Sequence, residues 1–120
     1  MASHNELGKE GEEIAVDFLL KKGYTIRERN WRYLKAEIDI IAQFENTLVI
    51  VEVKTRSTKD FGDPQDFIKR KQIQLLVMAA NEYVVNRDLA MEVRFDIIAV
   101  VLSKNTPVEI EHLEDGFLHF

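Results

Sequence analysis

Two hydrophobic runs of the sequence, EIDIIAQF and TLVIVEVKT, are interrupted by charged residues. Asp39 stands among isoleucines in the first run, and Glu52 and Lys54 alternate with valines in the second. Carboxylates in apolar surroundings repel one another and are costly to bury. A divalent cation removes that cost, and magnesium or manganese prefers oxygen ligands of this kind. The pattern therefore predicts a magnesium or manganese site.

Each charged residue has a distinct expected role. The short turn between the runs predicts a hairpin, in which Asp39 and Glu52 would bind the cation together with the backbone carbonyl of Val53. Lys54 shares a strand face with Glu52, so it would orient an attacking water and neutralise charge on a phosphate. Such a site hydrolyses phosphodiester bonds without a nucleophilic side chain. The alternative is a neighbouring ion pair on a half-exposed sheet, with Asp39 facing water.

Several short motifs, in their order, resemble those of a known family. The chain is similar to the small bacterial YraN-type family of restriction-endonuclease-like (PD-(D/E)xK) proteins, which is related to archaeal-type Holliday junction resolvases. The motifs that carry the resemblance are GKEGEEIAVDFLLKKGY, RERNWR, EIDIIA, VEVKTR, FGDP and VRFDIIAV.

The resemblance implies a four-stranded mixed sheet with a helix on each side and a divalent-metal nuclease site on Asp39, Glu52 and Lys54. It also implies a further acidic ligand from the first helix, which Glu12 matches, although an exposed first-turn acid is the alternative for this residue. Some relatives have a glutamine near the site, for which Gln72 and Gln74 are the candidates. The implied activity is cleavage of DNA, at branched or junction structures in particular.

Basic residues are concentrated in the middle of the chain, whereas both ends are acidic. Arg56 continues the face of Glu52 and Lys54, Lys71 begins a predicted helix, and Arg32 stands beside Trp31 in a mixture of cation and aromatic that suits unpaired bases. We expect Arg56, Lys71 and Arg32 to bind nucleic acid. A solvated helix face for Lys71 and a core position for Trp31 are the alternatives.

Two other polar features are predicted to be structural. Asp96 is expected to pair with Arg94 or to cap its strand. The three histidines lie near the chain ends, and we expect neither a metal cluster nor a catalytic dyad from them.

Hydrophobic periodicity predicts the elements that position these residues. Their order is α-β-β-β-α-β with a final short strand, which indicates an α/β protein with a restriction-endonuclease-like core and a mixed four- to five-stranded sheet flanked by helices. The predicted helices cover 4–23 and about 66–85, the strands 24–32, 37–44, 47–55 and 91–102, the last strand falls within 106–115, and 59–67 is a loop.

Length and composition limit the classes of protein. The 120 residues are 46% hydrophobic and contain no linker-like stretch, so we expect a single endonuclease-like domain over 1–120. The sequence has no cysteine, no signal-peptide pattern and no membrane-spanning run, which favours a cytoplasmic protein with no membrane partner.

The net charge of −5 argues for weak nucleic-acid binding by the lone chain, so a protein partner could supply affinity. Junction cutting would require a twofold homodimer. The alternative functions are a nucleic-acid-binding or repair-accessory module without turnover, and a purely structural protein.

Overall fold

Seven elements make up the part of the chain that a computed structural model describes, residues 4–58 and 68–116. They are α1 (His4–Lys21), β1 (Thr25–Tyr33), β2 (Ala36–Phe44), β3 (Thr47–Arg56), α2 (Arg70–Asn86), β4 (Glu92–Val101) and β5 (Glu109–Leu113). This order confirms the predicted arrangement and the α/β class. Neither α1 nor α2 is long and apolar enough to cross a membrane.

The element boundaries lie within a few residues of the predicted ones. α1 ends at Lys21 rather than at Gly23, where the backbone adopts a φ of 92°. α2 begins at Arg70, and its predicted start near Asp66 lies outside the described residues, as do the predicted loop 59–67 and the tail 117–120.

The five strands form one sheet in which spatial order equals chain order. β1, β2 and β3 are consecutive antiparallel neighbours, and β4 pairs antiparallel with β5. β3 and β4 are parallel, so α2 forms the crossover between them. The sheet is therefore mixed and five-stranded, at the upper limit of the predicted range.

The two helices cover opposite faces of the sheet. Val49 and Val51 of β3 pack with Ala15 and Leu19 of α1, whereas the intervening Ile50 packs in a second cluster with α2. Successive strand residues point to opposite faces, so these clusters are separate cores. The second core includes the buried α2 residues Ile73, Leu76, Ala79, Ala80 and Tyr83.

Strands β1 and β2 share an irregularity at Asp39. Ile38 packs in the α2-side core and Ile40 in the α1-side core, although regular alternation would place them on one face. On β1, Asn30 lies between the residues paired with Ile38 and Ile40 and has a φ of 51°. Asparagine is among the residues that tolerate this left-handed conformation. The alternation of side chains between the two faces of the sheet is therefore interrupted on both strands, at Asn30 of β1 and at Asp39 of β2.

β2 and β3 separate beyond this point of the sheet. The last β2–β3 pair is Ile40 with Val51, whereas β1 and β2 stay paired to Tyr33 and Ala36, and β3 and β4 stay paired to the end of β3. We call the β1–β2 segment 30–39 the arm. The gap between the arm and residues 52–56 of β3 is the fork.

Candidate functional site at the fork

Asp39 and Glu52 stand on the two sides of the fork, one residue beyond the last β2–β3 pair. Oδ2 of Asp39 accepts a hydrogen bond of 2.8 Å from the backbone N–H of Val53. This side chain thus takes the place that a backbone carbonyl of β2 would have in a regular ladder. The N–H and C=O of a strand residue leave on the same edge, so the Val53 carbonyl is also directed toward the fork.

Glu52 and Lys54 lie together on the α2 face of β3, as their spacing predicts. Nζ of Lys54 is 3.4 Å from Oε2 of Glu52, and the Glu52 side chain is 9% exposed. The same oxygen accepts a hydrogen bond of 2.6 Å from Nε2 of Gln72 in the first turn of α2. Of the two candidate glutamines, Gln72 therefore contacts the site, whereas Gln74 is exposed.

The charge of Asp39 depends on its buried surroundings and on Glu52. Burial and the neighbouring Glu52 raise the pKa of Asp39 to about 8, with the Val53 amide and Lys54 acting in the opposite direction. Like charges so close cannot both be ionised without a counter-charge. A small divalent cation is a counter-charge that suits an all-oxygen donor set. The residues present therefore fit a magnesium or manganese ion.

Glu12 approaches the fork from the opposite face of the sheet. α1 can come close because Gly11 faces Thr55 of β3, where a Cβ would overlap the threonine side chain. Burial and the Asp39 carboxylate raise the pKa of Glu12, while Arg29 and a hydrogen bond with Asn30 lower it. A cavity of about 390 Å³ opens beside Glu12, lined by Lys9, Glu12, Glu13, Arg29 and Asn30.

Within residues 4–58 and 68–116, no group of three or more histidine, aspartate and glutamate side chains is close enough to hold a metal ion. Asp39 and Glu52 form a pair, and Glu12 acts on Asp39 through its charge. The metal-binding roles of Asp39, Glu52, Val53 and Glu12 stay predictions.

The three residues predicted to bind nucleic acid lie around the fork, on β3, on α2 and on the arm. Arg56, at the end of β3, donates a hydrogen bond of 2.8 Å to the carbonyl of Thr55. Lys71 is exposed in the first turn of α2, next to Gln72. Arg32 lies on the arm and pairs with Glu37 at 2.9 Å.

Trp31 lies at the edge of the core, which is the alternative to a base-stacking role. It packs against the α2-side core, with its ring edge-on to Tyr83 at 5.2 Å and parallel to Tyr33 at 6.4 Å. Its orientation therefore stabilises the arm.

The structure contains two polar contacts that the sequence analysis did not predict. Asn30 bonds Glu12, and its only sequence signal is an asparagine inside a strand pattern. Asp96 pairs with Arg94 as expected, but Nε2 of His112 also lies 2.7 Å from its Oδ2, so one histidine has a buried acidic partner that the sequence did not indicate. With its side chain 4% exposed, His112 offers no access to a substrate.

Comparison with known proteins identifies close relatives. The model of the uncharacterised protein family UPF0102 matches residues 11–100. A UPF0102 protein of Flavobacterium psychrophilum is 64% identical over 120 residues, covering the whole of both chains. One of Christiangramia forsetii is 59% identical over the same length, also covering both chains. One of Phocaeicola vulgatus is 47% identical over 117 residues, which are 98% of this chain and 96% of the relative.

Proposed function

The chain belongs to the uncharacterised protein family UPF0102, and from the geometry of its fork we propose that it is a metal-dependent endonuclease. Its reaction would be hydrolysis of DNA phosphodiester bonds, at branched or junction structures in particular. The observation that carries the proposal is the Asp39–Glu52 pair with Lys54 3.4 Å from Glu52.

A restriction-endonuclease-like core is part of this proposal. Its support is the antiparallel β1–β2–β3 unit followed by a helical crossover to the parallel β4. Asp39 and Glu52, the two predicted acidic ligands, lie on its neighbouring strands β2 and β3.

Asp39 and Glu52, with the Val53 carbonyl and Glu12, are the residues that would hold Mg²⁺ or Mn²⁺. The ion supplies Lewis-acid polarisation of the phosphoryl oxygen and lowers the pKa of water. Asp39 must lose its proton to serve as a ligand, and the cation's charge favours that loss. Gln72 holds the Glu52 carboxylate in position through its hydrogen bond.

Lys54 has two tasks in the proposed reaction. Its amino group orients the attacking water and neutralises the negative charge that develops on the phosphate as the new P–O bond forms. Its side chain is 18% exposed, so it stands at the boundary between the protein and a substrate in the fork.

The distribution of charge supports a nucleic-acid substrate despite the net charge of −5. β1 at one edge of the sheet carries three arginines and one glutamate, with Arg29 and Arg32 in ion pairs, whereas β5 at the other edge carries Glu109 and Glu111 and is followed by Glu114 and Asp115. Lys54, Arg56 and Lys71 add positive charge at the end of the molecule that holds the fork. A polyanion is therefore directed toward the fork and away from the β5 edge.

Cleavage assays test the proposal. Duplex, flap and four-way-junction DNA are incubated with the protein, with and without Mg²⁺, and calorimetric titration measures Mn²⁺ binding. We expect metal-dependent cleavage that Asp39→Asn and Lys54→Ala abolish, whereas Lys21→Ala, at the far end of α1, leaves it intact. Metal-dependent cleavage that survives both fork substitutions would contradict the assignment.

A second candidate is a nucleic-acid-binding or repair-accessory module without turnover. The observation that favours it is the double engagement of Oε2 of Glu52, by Gln72 and by Lys54, because the protein's own groups already compensate this charge. It predicts salt-sensitive binding with no dependence on metal, to which a protein partner adds affinity. A junction-cutting enzyme would instead form a twofold homodimer, with one fork for each strand.

A further inference from the structure

The arm extends the sheet past the fork as a two-stranded segment that does not pair with β3. Its strands are paired with each other through Trp31–Ile38, Arg32–Glu37 and Tyr33–Ala36, while β3 has no pairing with them beyond Val51. The stacked rings of Trp31 and Tyr33 lie along one side of it, against the α2-side core. The arm is thus held against the α2-side core as far as Tyr33 and Ala36, the residues that flank its turn, Leu34–Lys35.

Leu34, at the tip of the arm, has an unfavourably exposed side chain and an unfavourable backbone conformation. Its side chain is 75% exposed, which is more than any other large hydrophobic side chain among the described residues. Its backbone has a φ of 55°, and the other non-glycine residues with positive φ in the described part of the chain are polar: Asn30, Glu45, Asp88 and Asp115. A branched aliphatic residue is disfavoured in that conformation. Burial of the side chain does not compensate this backbone cost, so packing against residues 4–58 and 68–116 does not explain a leucine here.

The surroundings of Leu34 suit a nucleic acid. Lys35 is exposed next to it, and Arg32 lies two residues before it. A strand rise of about 3.3 Å per residue places the tip about 10–15 Å from Asp39, which corresponds to three or four base steps along a strand. Leucine is one of the side chains with which proteins enter a base step and unstack it.

From this arrangement we propose that the arm is a wedge, whose Leu34 enters a base step three or four nucleotides from the phosphate held in the fork. The inference rests on the proposed function and specifies its substrate: DNA whose stacking is already interrupted, as at a branch, where unstacking costs least. Lys35 would contact the phosphate that flanks the opened step. The packing of the arm against the α2-side core fixes the distance between the opened step and the fork.

Fluorescence of 2-aminopurine tests the wedge separately from cleavage. The probe is placed at each of the first six positions from the branch of a four-way junction, with Ca²⁺ replacing Mg²⁺ so that the DNA stays intact. We expect binding to increase the fluorescence at one or two adjacent positions. Leu34→Ala should abolish the increase and weaken junction binding about tenfold, the loss expected when one buried leucine side chain is truncated.

Leu34→Gly and Val85→Ala serve as matched variants. Glycine adopts positive φ freely, so Leu34→Gly should fold at least as well as the wild type and still lose the fluorescence increase. Val85 is 66% exposed on the last turn of α2, and its truncation should change neither signal. The wedge is overturned if both Leu34 variants reproduce the wild-type fluorescence and affinity, or if the wild type cleaves the junction without unstacking any probe. Unstacking without cleavage under Mg²⁺ would instead refute the nuclease and leave the wedge standing.

Discussion

The pKa of Asp39 couples the stability of the folded chain to the charge in the fork. Burial and Glu52 raise this pKa from 3.8 to about 8, so the folded protein retains a proton that the unfolded chain releases. Between these values the unfolded state binds fewer protons, and the free energy of unfolding therefore decreases as pH rises. The carboxyl group that the proposed chemistry requires thus destabilises the metal-free protein.

Asp39→Asn should reverse this effect. The amide oxygen can still accept the Val53 hydrogen bond, but it carries no charge. We expect the Tm of the metal-free variant to exceed that of the wild type by a margin that grows from about pH 4 to pH 8, while stabilisation by Mn²⁺ disappears. Thermal unfolding in the presence of a chelator measures both. Glu37→Gln, an exposed change on the same strand, should leave the wild-type pH dependence, and parallel curves for Asp39→Asn and wild type would contradict the prediction.

Gln72→Ala should lower cleavage about 10- to 100-fold by releasing the Glu52 carboxylate, the range typical of residues that hold a metal ligand in place. The affinity for Mn²⁺, measured by calorimetry, should fall with it. Gln74→Ala removes a glutamine two residues away on the exposed surface and should change neither value. Equal effects of the two substitutions would show that the hydrogen bond to Glu52 has no positioning role.

For individual residues, the sequence indicates which side chains are candidates for the site better than it indicates which side chains contact one another. Asp39, Glu52 and Lys54 could be identified because each interrupts an apolar strand pattern, and the structure places the three together. The bond from Gln72 to Glu52 spans twenty residues of sequence and depends on how α2 lies on the sheet. Periodicity within one element carries no information on such a contact.

At the scale of elements, the closeness of α1 to β3 depends on Gly11. Gly11 faces Thr55, whereas the Cβ position of Gly8 has no atom within 4 Å. Gly11→Ala should force α1 away from the sheet and destabilise the fold by about 1–3 kcal/mol, the usual cost of overpacking. Gly8→Ala should be neutral or stabilising, since alanine favours the helix. Chemical denaturation of both variants measures the difference, and a Gly11 variant as stable as the Gly8 variant would contradict this packing.

The buried carboxylate of Asp96 reinforces the pairing of β5 with β4 through its contact with His112 of β5. Burial raises its pKa, but hydrogen bonds from His112, Arg94 and the Asp115 amide outweigh burial, so the pKa lies below its ordinary value of 3.8. The folded state therefore gains stability from this group above that value and loses it as pH falls through the lower folded pKa.

Asp96→Asn should destabilise the protein at neutral pH by about 1.5–3 kcal/mol, because it removes the buried negative charge that Arg94 pairs with, while Glu114 remains 3.4 Å from Arg94. It should also flatten the loss of stability below about pH 4, near the ordinary pKa of aspartate. Urea unfolding between pH 2 and 7 measures both changes. Asp17→Asn removes an exposed ion pair with Lys21 and should cost less than about 1 kcal/mol. If the free energy of unfolding of Asp96→Asn falls below pH 4 as steeply as that of the wild type, other groups cause the loss of stability in acid.

The order of the seven elements follows from the sequence, because α2 buries a regularly spaced face and β2, β3 and β4 are apolar runs, although β1 and β5 at the sheet edges contain no fully buried residue. The fork does not. The β2–β3 ladder ends where the Asp39 side chain takes the Val53 N–H, and this competition between side chain and backbone depends on atomic geometry that an alternating pattern of residue types does not specify.

At the scale of the whole molecule, charge is segregated although its sum is negative. Binding of DNA should therefore weaken with salt, and each phosphate contact should contribute about one unit to the slope of log Kd against log salt concentration. Arg56→Ala and Lys71→Ala should each reduce that slope by about one. Lys21→Ala, distant from the fork, should leave it unchanged. Fluorescence anisotropy between low and moderate salt measures the slopes, and identical slopes for all variants would place the phosphate contacts elsewhere.

The sequential antiparallel pairing of β2 with β3 has a consequence for the order of folding. Asp39 and Glu52 belong to one hairpin, whereas the β3–β4 pairing must wait until the chain has passed through α2. Local hairpins close in microseconds, and non-local parallel pairing is slower. We therefore expect the two carboxylates to meet early on a growing chain, before α2 and β4 have joined. A cation present during synthesis could then bind this proposed pair of ligands before the rest of the sheet has formed.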